Sequence, residues 1–249
     1  MKALTINVPK GVELAVVGDV HEHPKQFTDI VADAAINQNR WLVSLGDVYD
    51  KGFGIKTAEE ITDTLINLEK NNICYAVKGN HELKVLKKNK EFISSNKYLS
   101  WWNSRPIAIV FKFYNGALVT CLHAGVSKNI SFDNLNSSID ICYIRELDKD
   151  GNMIPLIWTK DDAGNKKLTR KMPGVNWHEL YDGKLGYIVA GHNSQKDGIP
   201  KYYRYSCNLD SRVYETGKLS CQIFKTDGTL GQLIQTTGTA ANPNLNGIE

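Results

Sequence analysis

No stretch of this 249-residue sequence is apolar for the roughly 18 consecutive residues that a membrane helix needs, so a bilayer-spanning protein is not expected. The amino-terminal residues MKALTINVPKGVE lack the apolar core of a secretory signal, and a cytoplasmic location is the expectation. Cysteine is scarce: Cys74, Cys121, Cys142, Cys207 and Cys221 contain no Cys-x-x-Cys pair and are odd in number. A zinc knuckle and a complete disulfide framework are thereby excluded, leaving reduced thiols buried mostly in strands. An excess of one charge sign is missing too. Thirty Lys plus Arg against 27 Asp plus Glu leave +3, too balanced for a general polyanion binder; nucleic acid is allowed as a partner but not implied. The sequence also lacks internal repeats.

What is present reads as one α/β domain over residues 1–235, followed by a loose tail over residues 236–249 that carries no hydrophobic pattern. Apolar runs at 14–17, 41–45 and 74–77 alternate with helical periodicity at Phe27, Ile30, Val31 and Ala34, then at Ile61, Leu65 and Leu68, which is a βαβ pattern. Pro24 suits a first helical turn, and Thr57 with Glu60 reads as a capping box. Later runs at 107–113, 117–122, 187–190, 202–207 and 219–224 read as strands, with turns at Asn115-Gly116 and Asp227-Gly228. Residues 133–171 read as short helix and loop with turns at 150–152 and 163–165, forming a substrate rim. The basic run KVLKKNK at 84–90 reads as a solvated helix face.

Five apolar runs end within about three residues of a side chain able to bind a metal: LAVVGDVH, WLVSLGDVYD, YAVKGNHE, VTCLHAG and YIVAGHN. Groups at the carboxyl ends of strands gather in one crevice of an open α/β sheet, so these loops can meet at one point. Gly18, Gly46, Gly79 and Gly191 each precede the candidate ligand, where a sharp turn or close backbone approach is needed. The resulting set is Asp19, His21, Asp47, Asn80, His123 and His192. Oxygen and nitrogen donors without thiolate suit two divalent cations, manganese first, iron or zinc next, magnesium less well. A shared carboxylate would hold such cations about 3.5–4 Å apart.

These motifs resemble the calcineurin-like metallophosphoesterases over residues 14–224, in particular the branch of Ser/Thr phosphoprotein phosphatases and symmetric diadenosine-tetraphosphate hydrolases. Gly18-Asp19-Val20-His21, Gly46-Asp47-Val48-Tyr49-Asp50, Gly79-Asn80-His81-Glu82, His123-Ala124-Gly125 and Gly191-His192 carry the resemblance in order. Asn208-Leu209-Asp210 with Gly217-Lys218-Leu219 is similar to the closing hairpin of that branch. The resemblance implies a four-layer fold in which two mixed β-sheets pack as a sandwich flanked by helices. It implies Asp19, His21 and Asp47 on one metal, and Asp47, Asn80, His123 and His192 on the other. It further implies a metal-bridged hydroxide as nucleophile, and His81 as general acid oriented by Asp50. Phosphate would be gripped by Lys51 and Lys160, standing where the family has arginine; Lys160 follows Trp158-Thr159 in the manner of a Trp-x-Arg element.

The implied activity is a phosphomonoesterase resembling bacterial or phage Ser/Thr protein phosphatases, with a phosphoprotein or nucleotide as substrate. A diadenosine tetraphosphatase, or a phosphatase of 2′,3′-cyclic or 3′-phosphate RNA ends, would use the same ligands. From another class, the fold could persist as a silent binding scaffold, but all the ligands and His81 are present. Gly191-His192-Asn193-Ser194 lacks the second histidine usual in the superfamily's nucleases. Glu22, Arg212 and Glu215 replace family glycines, and Glu22 reads as a solvated loop position. His23 and His178 read as surface or cap residues, and Arg145, Arg170 and Lys171 as a rim that could supply a further phosphate contact, with solvation the default for each.

Overall fold

The computed structural model describes residues 4–88, 95–160, 166–170 and 172–242. After β1 (Leu4–Asn7), the strands β2 (Glu13–Val17), β3 (Arg40–Ser44) and β4 (Cys74–Ala76) pair in parallel, joined by α1 (Pro24–Asp33) and α2 (Ile55–Lys70). These are the expected βαβ units. Pro24 occupies the first turn of α1, where its missing N–H costs nothing. Helices α3 (Asn80–Lys88) and α4 (Asn96–Ser104) precede an antiparallel pair, β5 (Ala108–Lys112) and β6 (Leu118–Leu122), turned at Gly116 with φ +87°.

Beyond a 3-10 turn at Ile139–Cys142 come β7 (Glu146–Leu147), β8 (Leu156–Lys160), β9 (Lys166–Arg170), β10 (Val175–Asn176) and the short α5 (Trp177–Leu180). The chain ends with β11 (Tyr187–Ala190), β12 (Lys201–Tyr202), β13 (Ser206–Asn208), α6 (Val213–Thr216), β14 (Lys218–Phe224) and β15 (Leu230–Thr237).

Two mixed sheets result, one in the order β1-β5-β6-β11-β13-β12 and the other β15-β14-β2-β3-β4. Alternation along a strand explains how they stack. Leu14 and Val16 of β2 join Ile109, Phe111, Val119, Cys121 and Val189 in a core between the sheets. Ala15 and Val17, facing the other way, pack with Phe27, Ile30, Ile61 and Leu65 of the helices. On the far side of the six-stranded sheet, Ala108, Val110, Leu122 and Ile188 meet Ile130, Leu135, Ile141 and Trp177. Helices, sheet, sheet and an irregular outer layer form the expected four-layer sandwich. All five thiols are buried and free. No described helix is long and apolar enough to cross a membrane.

Several local expectations fail for reasons of tertiary contact. The capping box at Thr57 is absent: α2 begins after Gly54 with no side-chain cap, and the Thr57 hydroxyl donates to the carbonyls of Gly54 and Glu22. Residues 202–207 are not one strand, because the chain reverses after Tyr202 and β12 pairs antiparallel with β13. The rim contains a β8–β9 hairpin in place of irregular chain, while its turn at 163–165 lies outside the described residues. Nor does a loose tail begin at 236. Strand β15 runs through Thr237, Thr236 is buried and donates to the Gln26 carbonyl, and Gln26 Nε2 donates to the Thr239 carbonyl. Residues 243–249 lie outside the described part.

Candidate metal centre

Because β2, β3 and β4 run parallel in one sheet, and β6, β11 and β13 run parallel in the other, each sheet delivers its strand ends to a single edge. Asp19 and His21 follow β2, Asp47 follows β3, Asn80 opens α3 after β4, His123 follows β6 and His192 follows β11. The structure brings all of them together. Asp19, His21, Asp47, His81, His123 and His192 are buried, and Asn80 is half-buried.

Asp47 is the hub. Its Oδ2 lies 3.3 Å from His123 Nε2, and 3.8 Å from both His21 Nε2 and His81 Nε2. His21 Nε2 also lies 4.0 Å from Asp19 Oδ2, and His123 Nε2 lies 2.9 Å from Asn80 Oδ1. The other ring nitrogens are spoken for: His123 Nδ1 is 2.9 Å from the Leu45 carbonyl and His21 Nδ1 is 3.1 Å from that of Asp50. Anchoring through Nδ1 aims each Nε2 into the cluster, as a ligating imidazole requires.

Two groups could hold a cation, and Asp47 belongs to both: one with His21 and His81, the other with His123 and His192. His81 therefore enters a donor group from which the sequence reading kept it apart. The glycines explain the closeness. A Cβ on Gly79 would stand 2.1 Å from Asp47 Oδ1, and one on Gly191 would stand 1.9 Å from Asp19 Oδ1. His21, Asp47 and His192 themselves have positive φ, a conformation L residues avoid and strain-bearing sites retain.

Charge balance in the cluster suits added cations. Burial, with the neighbouring Asp210 and Asp47 carboxylates, raises Asp19 well above the carboxylate range, and burial raises Asp210. Burial also works against ionisation of Asp47, but His123, His81 and His21 outweigh it and hold that carboxyl well below its usual value. Desolvation, then the Lys51 charge, lowers His21; desolvation, then the Arg145 charge, lowers His192. Both imidazoles are thus kept neutral, the ligand form. Against its own burial, His123 is pulled up to about 10 by Asp47 and Asp19. Mixed carboxylate and imidazole donors that are short of positive charge fit divalent cations.

Around this cluster, His81 Nδ1 is 3.1 Å from Asp50 Oδ2, and Lys84 Nζ donates to the same oxygen at 2.8 Å. Together they hold Asp50 far below the usual carboxylate range, the His81 bond being the larger cause. Lys84 is therefore an ion-pair partner and not only a solvated position. Lys51 stands over the Tyr214 ring at 4.7 Å, on the cluster side. Lys160 is exposed at the end of β8, and among the described residues no hydrogen bond or ion pair joins it to the cluster.

Sequence reasoning left four participants out of the site. Arg145 lies beside His192, with Nη1 3.5 Å from Asn193 Oδ1; nothing in its local sequence marks it. Asp210 is buried against Asp19, and the rule that found the candidate ligands, a polar side chain at a strand end, applies equally to SCNLD. Glu82 is buried, and its oxygens accept from Asp47 N (2.7 Å), Val48 N (2.7 Å) and Gly79 N (2.8 Å), tying two ligand loops together. Glu22 is 6% exposed, not solvated, and accepts backbone N–H groups of the loop after Asp47. Arg212, at φ 55° where the family has glycine, is held by an ion pair to Glu215 at 2.6 Å.

Neither His23 nor His178 is a surface residue. His23 is buried at the N-cap position of α1, as the cap reading had it, though its side chain makes no capping bond and Nε2 accepts from Ala241 N. His178 lies between Trp177 and Tyr203, with Nδ1 2.8 Å from Ser206 Oγ.

Comparison with known proteins agrees with this geometry. Among solved structures, a candidate diadenosine tetraphosphatase superposes with TM-score 0.67 at 21% identity, covering 95% of this chain and 99% of that one. A protein serine/threonine phosphatase from Saccharomyces cerevisiae gives TM-score 0.54 at 16% identity, covering 94% and 82%. A metallophosphoesterase from Sphaerobacter thermophilus gives 0.51 at 14% identity, covering 90% and 88%. At these identities the likeness establishes the fold. No curated protein sequence matches significantly. The family model of calcineurin-like phosphoesterases matches residues 12–204, most of the chain and every strand end that feeds the cluster but Asp210. The chain therefore belongs to the calcineurin-like phosphoesterases and is a metal-dependent phosphoester hydrolase.

Proposed function

We propose that the chain is a dinuclear phosphomonoesterase, acting on a phosphoprotein in the manner of Ser/Thr protein phosphatases. The observation that carries this reading is the position of Asp47, shared between two donor groups and within 3.8 Å of three imidazole nitrogens. Asp19, His21 and Asp47 would hold one cation, and Asp47, Asn80, His123 and His192 the other. Bound there, divalent cations, manganese by donor type, supply Lewis acidity that lowers the pKa of a water and offsets phosphoryl charge.

The protein's own groups do the rest. Asp50 accepts from His81 Nδ1–H, fixing the ring so that Nε2–H can be delivered to the leaving oxygen. Lys51 and Arg145 bring positive charge to the phosphoryl oxygens. Arg145 takes the place that the sequence assigned to Lys160, and it offers the planar fork that lysine lacks.

A second reading, a diadenosine-tetraphosphate hydrolase, is favoured by the near-complete coverage of the candidate diadenosine tetraphosphatase. Manganese-loaded protein should be assayed on a phosphoserine peptide, diadenosine tetraphosphate, a 2′,3′-cyclic nucleotide and 3′-phosphorylated RNA, with metal content measured in parallel. Two cations per chain and preference for the phosphopeptide are expected. Preference for the dinucleotide favours the second reading, and a loaded chain inert on all four leaves a binding scaffold. His81→Ala should retain both cations if His81 is the acid, and lose one if it is a ligand.

A further inference from the structure

Glu22 stands in a conformation that argues against its presence. Its φ is 60°, in the left-handed region where glycine is at ease and a side chain with a Cβ is not. Yet the glutamate is buried, and its side chain turns under the next loop, where Oε1 accepts from Asp50 N at 2.9 Å and Oε2 accepts from Gly52 N at 3.1 Å and Gly54 N at 2.9 Å. The Glu22 carbonyl also accepts from the Thr57 hydroxyl at 3.2 Å.

The loop it holds is itself strained. Asp50 (φ 72°) and Lys51 (φ 70°) are consecutive left-handed residues, and the N–H groups of Asp50, Gly52 and Gly54 converge on the one carboxylate. Contact is close: a Cβ on Gly52 would stand 2.0 Å from the His21 carbonyl oxygen and 2.5 Å from Glu22 Cβ. Asp50 orients His81, and Lys51 faces the cluster, so both groups depend on where this loop sits.

We infer that Glu22 is a positioning residue: its carboxylate fixes the 50–54 loop so that Asp50 aims His81 and Lys51 faces the phosphoryl group. This rests on the roles given to His81 and Lys51 above. Backbone strain at position 22 persists because the carboxylate it carries is what keeps two further left-handed residues in place.

The test uses the full-length protein and the variants Glu22→Gln and Glu22→Gly, the second relieving the local strain so that folding is retained. Amide exchange of Asp50, Gly52 and Gly54, with and without manganese, should quicken on the order of tenfold in both variants, because a carboxamide offers one acceptor oxygen and glycine none. Activity is then compared on 2,4-dinitrophenyl phosphate, whose departing phenolate needs no proton, and on phenyl phosphate, whose phenolate does. The ratio of kcat/KM between the two esters should rise on the order of tenfold, because misaimed His81 penalises only the second. Unchanged exchange, or equal loss on both esters, overturns the inference alone. A wild-type protein that hydrolyses neither ester overturns the proposed function and the inference with it.

Discussion

Replacing Glu82 by glutamine should unfasten from each other two loops that carry the proposed metal ligands. The carboxylate is 1% exposed and takes Asp47 N and Gly79 N on Oε2, Val48 N at 2.7 Å on Oε1, and Tyr49 N at a longer 3.4 Å. A glutamine carbonyl can replace one oxygen, but its NH2 must then face the donors on the other. One short bond is lost outright, and two buried donors are left opposed. A hydrogen bond to a charged group contributes about 1.5–3 kcal/mol and an orphaned buried group costs about 1–3 kcal/mol, so a destabilisation of roughly 3 kcal/mol is expected for the metal-free protein. With a urea m-value of about 3 kcal/mol/M, the unfolding midpoint should fall by about 1 M. Calorimetric titration with manganese should show weaker binding, since the loops of Asp47 and Asn80 lose their common anchor. A midpoint within about 0.2 M of wild type would refute the reasoning, because so small a shift (well under 1 kcal/mol) means the N–H groups are not held by this carboxylate.

Burial lowers His178 from 6.5 to about 3, so between those values the unfolded chain binds a proton that the native fold refuses; its stability contribution is full above pH 6.5 and falls with pH toward 3. From pH 7 to pH 5 that loss is about 2 kcal/mol, and urea unfolding of His178→Gln at the two pH values should show a difference smaller by this amount. Arg145→Ala should lower kcat/KM on the preferred substrate by roughly 10- to 100-fold, whereas Lys160→Ala should leave it nearly unchanged, as steady-state kinetics on both variants will show. Asn242 donates from Nδ2 to the Lys51 carbonyl at 2.9 Å and from its backbone to the Tyr214 carbonyl, so Asn242→Ala should raise KM about fivefold, for a bond of about 1 kcal/mol, with little change in kcat.

The parts of the molecule legible in sequence were those written locally. Apolar runs at residues 14–17 and 107–113, and a glycine before four of the polar strand ends, report constraints that act over a few residues. Glu22, Arg145 and the segment at 236–242 were misread because their partners are distant: Glu22 meets residues 50–54, Arg145 meets His192, and Asn242 meets Lys51. A glutamate in a polar loop looks solvated until the neighbouring loop folds over it. Asp210 differs in kind, since its strand-end position was visible and its resemblance to a hairpin motif drew attention from its charge.

The donors come from opposite halves of the sandwich, Asp19, His21, Asp47 and Asn80 from one sheet and His123 and His192 from the other. Loading the centre would rivet the two halves across their seam, so slippage of one face over the other and release of a cation become the same event. Heat should therefore release the metal and part the layers in one transition, at a temperature that climbs with free manganese.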